Sequence, residues 1–160
     1  MTLEEVLESC VRRYGEPRSL HGAGTPRLAC FVEFAPNDIP SGHDLPAEMK
    51  NLWSVCASAQ LLVDVDHGQW GLSLLDFESS LDRTRQEFTA RPADLMARDL
   101  VIGSFLGDLE LLIYSPSGET GGQVLVSLPL DERSEWYMAG DSLEGFLATF
   151  VDSQGRKFWE

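Results

Sequence analysis

The stretch Leu100-Val-Ile-Gly-Ser-Phe-Leu-Gly-Asp-Leu-Glu-Leu-Leu-Ile-Tyr114 decides the fold class. It contains two apolar runs, 100–106 and 109–114, which have the length and composition of β-strands and are separated by Gly107-Asp108. A third run, 124–128, follows a Gly-rich loop, 115–122. Three strands joined by short turns are most simply arranged as an antiparallel meander.

Shorter apolar runs extend this sheet along the chain in both directions. Residues 61–65 and 70–75 flank the turn-forming tetrad Asp66-His-Gly-Gln69, and this pattern predicts a hairpin. Residues 28–32 and 136–138 are candidates for one more strand at each end. We therefore expect a sheet of about five to six antiparallel strands.

Helices are predicted at both ends of the chain. Thr2 and Glu5 form a capping box, and the apolar residues that follow recur at helical spacing until Gly15 ends the helix. Asp141 and Glu144 mark the last helix by the same capping logic, and its apolar residues also have helical spacing.

Two helices are predicted between the candidate strands. One begins near Asp44, runs to about Ser58 and carries Trp53 on its buried stripe. The other follows Asp76 as its N-cap and is inserted between the hairpin and the meander. Residues 1–160 are therefore expected to form one α+β domain, with helices packed at both chain ends and one inserted helix.

Acidic residues far outnumber basic residues. The chain has 26 Asp and Glu residues against 12 Lys and Arg residues, which gives a formal net charge of −14. Residues 28–80 hold eight acids and the single base Lys50, and residues 99–152 hold ten acids and the single base Arg133. Nucleic acid and anionic membranes repel such a chain, so a basic partner is the natural complement. Alternatively, the acidic residues only keep the protein in solution and do not form a partner-binding face.

The cysteines indicate neither a zinc site nor a redox centre, because Cys10, Cys30 and Cys56 form no C-x-x-C pair. We expect free and mostly buried thiols in a reducing compartment. The first residues are too acidic for a signal peptide, and no apolar run approaches the roughly 18–20 residues of a membrane span. The expected protein is a cytoplasmic monomer that contacts no membrane.

No motif in the chain indicates catalysis or a cofactor. Asp64-Val-Asp66-His-Gly68 resembles the start of an EF-hand loop, but Gln69 and Leu75 stand where that loop needs Gly and a bidentate Glu. The histidines are isolated, and the Gly-rich segments lack the other residues of nucleotide-binding loops. We expect no catalytic residue, metal or cofactor. The alternative is an enzyme or a small-ligand binder whose pocket is made only by the fold and is marked by no sequence motif.

Several short motifs occur in a fixed order. The helix opened by Leu45-Pro46 contains Trp53, and two strands and a helix follow it. After them come Leu100-Val-Ile-Gly103 and Gly107-Asp108, and the last helix contains Ser142-Leu-Glu-Gly-Phe-Leu147. From residue 45 to residue 151 this order resembles the SUKH superfamily, the Smi and Knr type of domain.

The resemblance implies a non-enzymatic role in binding another protein. Bacterial members are regarded as immunity proteins that neutralise a cognate toxin, often a nuclease, whereas fungal members act as regulatory scaffolds. Because a nuclease needs a basic surface to hold phosphate, an acidic inhibitor can cover that surface. We therefore expect an immunity protein of the bacterial branch, with a regulatory scaffold as the alternative. The expected partner-binding residues are Asp64, Asp66, Trp70, Asp108 and Glu110.

Overall fold

Four helices and seven strands make up the fold in the computed structural model, which describes residues 1–118 and 121–160. The helices are α1 (Leu3–Tyr14), α2 (Ala47–Val55), α3 (Phe77–Ala90) and α4 (Leu143–Asp152). The strands are β1 (Leu28–Glu33), β2 (Ser58–Asp64), β3 (Leu72–Leu74), β4 (Leu100–Phe105), β5 (Leu111–Ser117), β6 (Gly121–Ser127) and β7 (Tyr137–Gly140). In this part of the chain no helix has the length and apolar character that a bilayer crossing requires.

The seven strands form one antiparallel sheet whose strand order follows the chain from β1 to β7. The predicted α+β class is confirmed, and the sheet has slightly more strands than the five to six expected. Both edge candidates, β1 and β7, are included. The pairing of β5 with β6 continues to Ser117 opposite Gly121, so much of the predicted Gly-rich loop belongs to strands. Glu119 and Thr120 of that loop lie outside the described residues.

The sheet carries a core on each face, because alternate strand residues point to opposite sides. The larger core includes residues from α1, α2 and α4 together with strand residues such as Tyr114. Trp53 of α2 is fully buried there, so its predicted core position is confirmed. The smaller core forms around Val101 and Ile113, and Phe88 of α3 packs against it.

The helix caps agree with the prediction at one end of the chain and differ at the other. Thr2 Oγ1 accepts the Glu5 N–H at 3.2 Å and Glu5 Oε2 accepts the Thr2 N–H at 2.7 Å, so the capping box is confirmed. At α4 the N-cap is Ser142 instead of Asp141, because the Ser142 hydroxyl accepts the Gly145 N–H.

Hydroxyl groups attach α3 to the sheet. Asp76 caps this helix as predicted, but Ser80 and Thr84 are also buried, although neither belongs to the apolar stripe. The Ser80 hydroxyl donates to the Val101 carbonyl at 2.5 Å, and the Val101 N–H donates to Thr84 Oγ1 at 2.9 Å. Apolar periodicity does not reveal such contacts, since it counts only hydrophobic residues.

The expectation of free thiols is wrong for two of the three cysteines. A disulfide joins Cys10 of α1 to Cys30 of β1 and so ties the first helix to the edge strand across 20 residues. Cys56 is free and buried at the end of α2, and this burial raises the pKa of its thiol to about 12. The pairing depends on how α1 packs on β1, which the spacing of the cysteines does not reveal.

A thiol count tests this arrangement. The folded protein is expected to react very slowly with a thiol reagent near neutral pH, because Cys56 is buried and protonated. Unfolding without reductant is expected to expose one thiol per chain, and reduction before unfolding is expected to expose all three. A Cys56→Ala control should lower both counts by one. Three reactive thiols without reductant would show that the Cys10–Cys30 bond is absent in solution.

Candidate functional site

All five residues predicted to bind a partner lie at one end of the sheet. In a meander, alternate connections share an end, so the β2–β3 turn (65–71) lies at the same end as the β4–β5 turn (106–110) and the β6–β7 connection (128–136). This end is termed the turn end. Gly107 has a φ of +84°, and a Cβ at this position would collide with the Gln69 carbonyl. Glycine is therefore required where the first two turns meet.

The carboxylate of Asp64 is used inside the β2–β3 turn. Asp64 is only 5% exposed, and its Oδ1 accepts the N–H groups of Asp66 and His67, both at 2.9 Å. Its Oδ2 accepts the Gln69 N–H at 3.2 Å. Burial raises the pKa of Asp64, but the three N–H donors together outweigh burial and leave the pKa lowered. Asp64 thus shapes the turn instead of presenting a free charge.

Asp66 is paired with the residue that precedes β1. Its Oδ1 accepts from Arg27 Nη2 at 2.7 Å, and its Oδ2 accepts the Arg27 backbone N–H at 2.8 Å. The side-chain hydrogen bond from Arg27 is the largest cause that lowers the pKa of Asp66, to about 2. This pair fixes the β2–β3 turn against the start of the edge strand.

Acid is expected to destabilise the protein through Asp66. The pKa of Asp66 is lowered to about 2 in the folded protein and is about 4 in an unfolded chain. The stabilisation is therefore fully present above about pH 5 and is lost as the pH falls from about 4 to 2. We expect Asp66→Asn to lower the Tm at neutral pH and to make the acid-dependent fall in Tm shallower.

Thermal unfolding between about pH 7 and pH 2 measures this difference. The matched control is Asp38→Asn, because Asp38 is exposed and forms no ion pair in the described part of the chain. The control should follow the unaltered protein. Parallel curves for Asp66→Asn and the unaltered protein would contradict the prediction.

Lys157, from the segment after α4, gathers three carboxylates at the turn end. Its Nζ lies 2.8 Å from Asp108 Oδ2, 3.2 Å from Glu110 Oε1 and 3.2 Å from Glu160 Oε1. Burial lowers the pKa of Lys157, but the hydrogen bonds to the three carboxylates outweigh it and raise the pKa. Two of the predicted residues, Asp108 and Glu110, are therefore both paired with a lysine of this same chain.

Trp70 packs beside this cluster. Its indole stacks on Phe105 with the ring centroids 5.7 Å apart, and Lys157 Nζ lies 5.6 Å from its ring centroid. Trp70 Nε1 donates to the Gly155 carbonyl at 2.7 Å, so the tryptophan also fixes the segment after α4. The structure thus brings Trp70, Asp108 and Glu110 together around a lysine that the sequence reasoning missed. No local sequence signal connects Lys157 with residues almost 50 positions away.

A groove of about 540 Å³ runs between α3 and the β4–β5 turn. Among its lining residues are two arginines and three carboxylates, namely Arg83, Arg91, Glu87, Asp108 and Glu110. Both arginines are engaged, since Arg83 pairs with Glu87 at 2.8 Å and Arg91 pairs with Asp94 at 3.3 Å. Glu110 differs from them, because its Oε2 is buried and has no hydrogen-bond partner in the described part of the chain. An unsatisfied buried acceptor costs about 1–3 kcal/mol.

Two leucines project from the turns that border this groove. Leu109, in the β4–β5 turn, is 83% exposed, and Leu130, in the β6–β7 connection, is 95% exposed. Arg91 holds this connection in place by donating to the carbonyls of Leu128 and Asp131. The apolar run 109–114 predicted a strand at Leu109, and no sequence pattern singles out either leucine. Each of these side chains offers a partner apolar area to bury.

Within residues 1–118 and 121–160, no group of three or more His, Cys, Asp or Glu side chains could hold a metal ion. The turn end combines exposed leucine side chains, carboxylates and a groove.

A scan against protein-family models found no match for the chain, and searches of the curated proteins and of the solved structures found none either.

Proposed function

We propose that this chain is a non-enzymatic immunity protein of the SUKH type, which binds and neutralises a cognate bacterial toxin, with a nuclease as the expected kind. The observation that carries the proposal is the pair of exposed leucines at the acidic turn end, Leu109 and Leu130. The order of sequence motifs that resembles the SUKH superfamily supports it independently.

The charges at the turn end add to this support. Asp131 and Glu132 directly follow Leu130, and neither forms an ion pair within the described residues. A nuclease presents Lys and Arg side chains to phosphate, so unpaired carboxylates beside an apolar anchor complement its surface. In this proposal the leucines supply apolar area that the partner buries, and the carboxylates speed association and select a basic partner.

Removing both leucine side chains tests the surface. In a complex with the toxin domain encoded by a neighbouring gene, the double variant Leu109→Ser, Leu130→Ser is expected to bind about 30-fold more weakly or worse, as the loss of two interface anchors implies. Its Tm should barely change, because both side chains are exposed. Titration calorimetry measures the dissociation constant.

The matched control is Phe34→Ser. Phe34 is 45% exposed and follows the end of β1 that lies away from the turn end, so its loss should leave the affinity unchanged. Equal affinities for the double variant and the unaltered protein would place the toxin on a different surface.

Growth rescue tests the immunity role itself. Cells that express the toxin domain are expected to survive when they also express this chain and to die when they express the double leucine variant. Absence of both rescue and a complex would overturn the immunity proposal and favour a regulatory scaffold that binds endogenous proteins.

We propose the cytoplasm as the place of action, because a toxin that cleaves nucleic acid would act there. The Cys10–Cys30 disulfide is the observation against this location, since disulfides are rare in reducing compartments. Alkylation of thiols in intact cells, followed by mass spectrometry, shows whether the protein is in a reducing or an oxidising compartment. Alkylated Cys10 and Cys30 would support a reducing compartment, and an intact bond would contradict it.

A further inference from the structure

The strand β7 forms an open edge of the sheet. It pairs only with β6, and in the part of the chain that the structure describes no backbone hydrogen bond outside the β6–β7 ladder involves residues 137–140. In an antiparallel ladder, alternate residues direct their N–H and C=O groups to opposite sides of the strand. The groups on the outer side of β7 can therefore pair with a strand of another chain.

The opposite edge of the sheet is less accessible. On the outer side of β1, Leu28 forms two backbone hydrogen bonds with Arg18, at 3.0 and 2.8 Å. Cys30, two positions further along β1, is only 1% exposed, whereas Met138 of β7 is 58% exposed. An added strand therefore finds the first half of β1 covered and β7 accessible.

Carboxylates without a partner flank β7. Glu132 and Glu135 precede the strand and Asp141 follows it, all three are exposed, and none forms an ion pair within the described residues. Arg133, the single base in residues 131–141, pairs with the buried Asp99. These charges oppose pairing of β7 with the same strand of a second copy, because like charges would meet. They complement a basic segment instead.

We infer that β7 receives an extended segment of the protein partner, rich in lysine and arginine, which adds to the open edge of the sheet as a further strand. This inference rests on the proposed function and names the part of the toxin that the chain recognises. Backbone hydrogen bonds join the segment to β7, and the exposed side chain of Met138 offers it apolar area to bury. The flanking carboxylates select basic side chains.

This edge adjoins the surface that carries the exposed leucines. The connection of residues 128–136, which contains Leu130, leads directly into β7, so the strand begins at the turn end. Arg91 donates to the carbonyls of Leu128 and Asp131 and so ties this connection to α3. One partner can therefore contact Leu130 and pair with β7 at the same time.

A basic peptide tests the edge without the toxin. A blocked peptide of alternating lysine and valine is titrated into the full chain at low salt while the backbone amides are followed by NMR. We expect saturable shifts in residues 132–141, with a dissociation constant on the order of millimolar. At saturation, hydrogen exchange should become at least about tenfold slower at the outward-facing amides of β7, because the added strand accepts their hydrogen bonds. Exchange in β1 should not change.

Two altered peptides separate backbone pairing from charge. Methylation of every backbone nitrogen removes the hydrogen-bond donors and keeps the lysines, and it should abolish the slower exchange in β7. Glutamine in place of every lysine keeps the donors and removes the charge, and it should weaken binding about tenfold at low salt. Slower exchange with the methylated peptide would overturn strand addition. Equal binding of the glutamine peptide would overturn the selection of a basic segment.

Variants of the chain complete the test. The double variant Glu132→Gln, Glu135→Gln should bind the lysine peptide about threefold more weakly or worse, because two exposed carboxylates lose their charge. The matched control is the double variant Glu8→Gln, Glu16→Gln, which removes two exposed charges on and just after α1 and should bind like the unaltered protein. No saturable shift in the unaltered protein, or equal binding by both double variants, would overturn the inference.

Failure of this inference can be distinguished from failure of the proposed function. A toxin complex in which the amides of β7 exchange as fast as in the free chain would remove strand addition and leave the immunity role standing. Peptide binding at β7 without toxin binding or growth rescue would retain the edge as a site for basic strands and remove the immunity role.

Discussion

Replacing Asp99 by alanine is expected to lower the free energy of unfolding by about 3–5 kcal/mol, the usual loss when one partner of a buried ion pair is removed. The Asp99 side chain is completely buried and its Oδ2 lies 2.5 Å from Arg133 Nη1. Asp99 Oδ2 also accepts the Met96 N–H at 2.8 Å, and Arg133 donates to Ser115 at 3.0 Å. Without Asp99, the guanidinium of Arg133 remains largely buried and loses its counter-ion.

Urea unfolding at neutral pH measures this loss. The matched control is Asp82→Ala, because Asp82 forms an ion pair of 2.8 Å with Arg85 on the exposed side of α3, where both side chains are about 70% exposed. An exposed pair of this kind contributes about 0–1 kcal/mol. If Asp99→Ala were no more destabilising than this control, the buried network would not stabilise the β6–β7 connection.

Replacing Glu48 by alanine is expected to lower the free energy of unfolding by about 2–3 kcal/mol, since it leaves buried or helix-terminal donors without an acceptor. Glu48 Oε1 accepts the hydroxyl of the fully buried Tyr114 at 3.0 Å. Glu48 Oε2 accepts the N–H groups of Leu143 and Glu144, at 2.9 and 3.3 Å, at the start of α4. One carboxylate of α2 thus connects a central strand with the last helix.

A double-mutant cycle with Tyr114→Phe separates these contacts. Removing the hydroxyl should cost less when Glu48 is already alanine, because the hydrogen bond between the two is then absent. Glu8→Ala, an exposed acid on α1, is the control and should change stability by no more than about 0.5 kcal/mol. Additive effects of Glu48→Ala and Tyr114→Phe would show that Glu48 acts only on α4.

Local patterns in the sequence were enough to predict most of the secondary structure. The capping box of Thr2 and Glu5 and the cap at Asp76 could be predicted because these contacts join residues three positions apart. The boundaries were less accurate. The second helix was expected from about Asp44 to Ser58, but it runs only from Ala47 to Val55, because Pro46 is its N-cap and Cys56 is already extended.

Contacts between distant segments could not be predicted in the same way. Glu48 and Leu143 are 95 positions apart, and Asp99 and Arg133 are 34 apart, so no periodic pattern connects them. The Cys10–Cys30 disulfide belongs to the same class. Such contacts depend on how helices dock on the sheet, and a single sequence does not reveal docking.

The proximity of the candidate residues could be predicted in part, whereas their contacts could not. Asp66 and Asp108 were expected in turns, and Asp64 and Glu110 in the adjoining strands, and the structure brings all four to one end of the sheet. The charge count could not show that three of these carboxylates form ion pairs with Arg27 and Lys157. It also gave no weight to Leu130, because an exposed leucine is recognisable only once the fold shows that nothing covers it.

The order of the strands also affects how the protein is made. Each strand pairs with the one synthesised just before it, so the sheet can grow strand by strand as the chain leaves the ribosome. The first helix packs on β1, which follows it closely in the chain, and also on α4, where Arg13 pairs with Asp152 at 3.3 Å. One side of α1 can therefore be covered early in synthesis, whereas the side that faces α4 is covered only after the last helix has emerged.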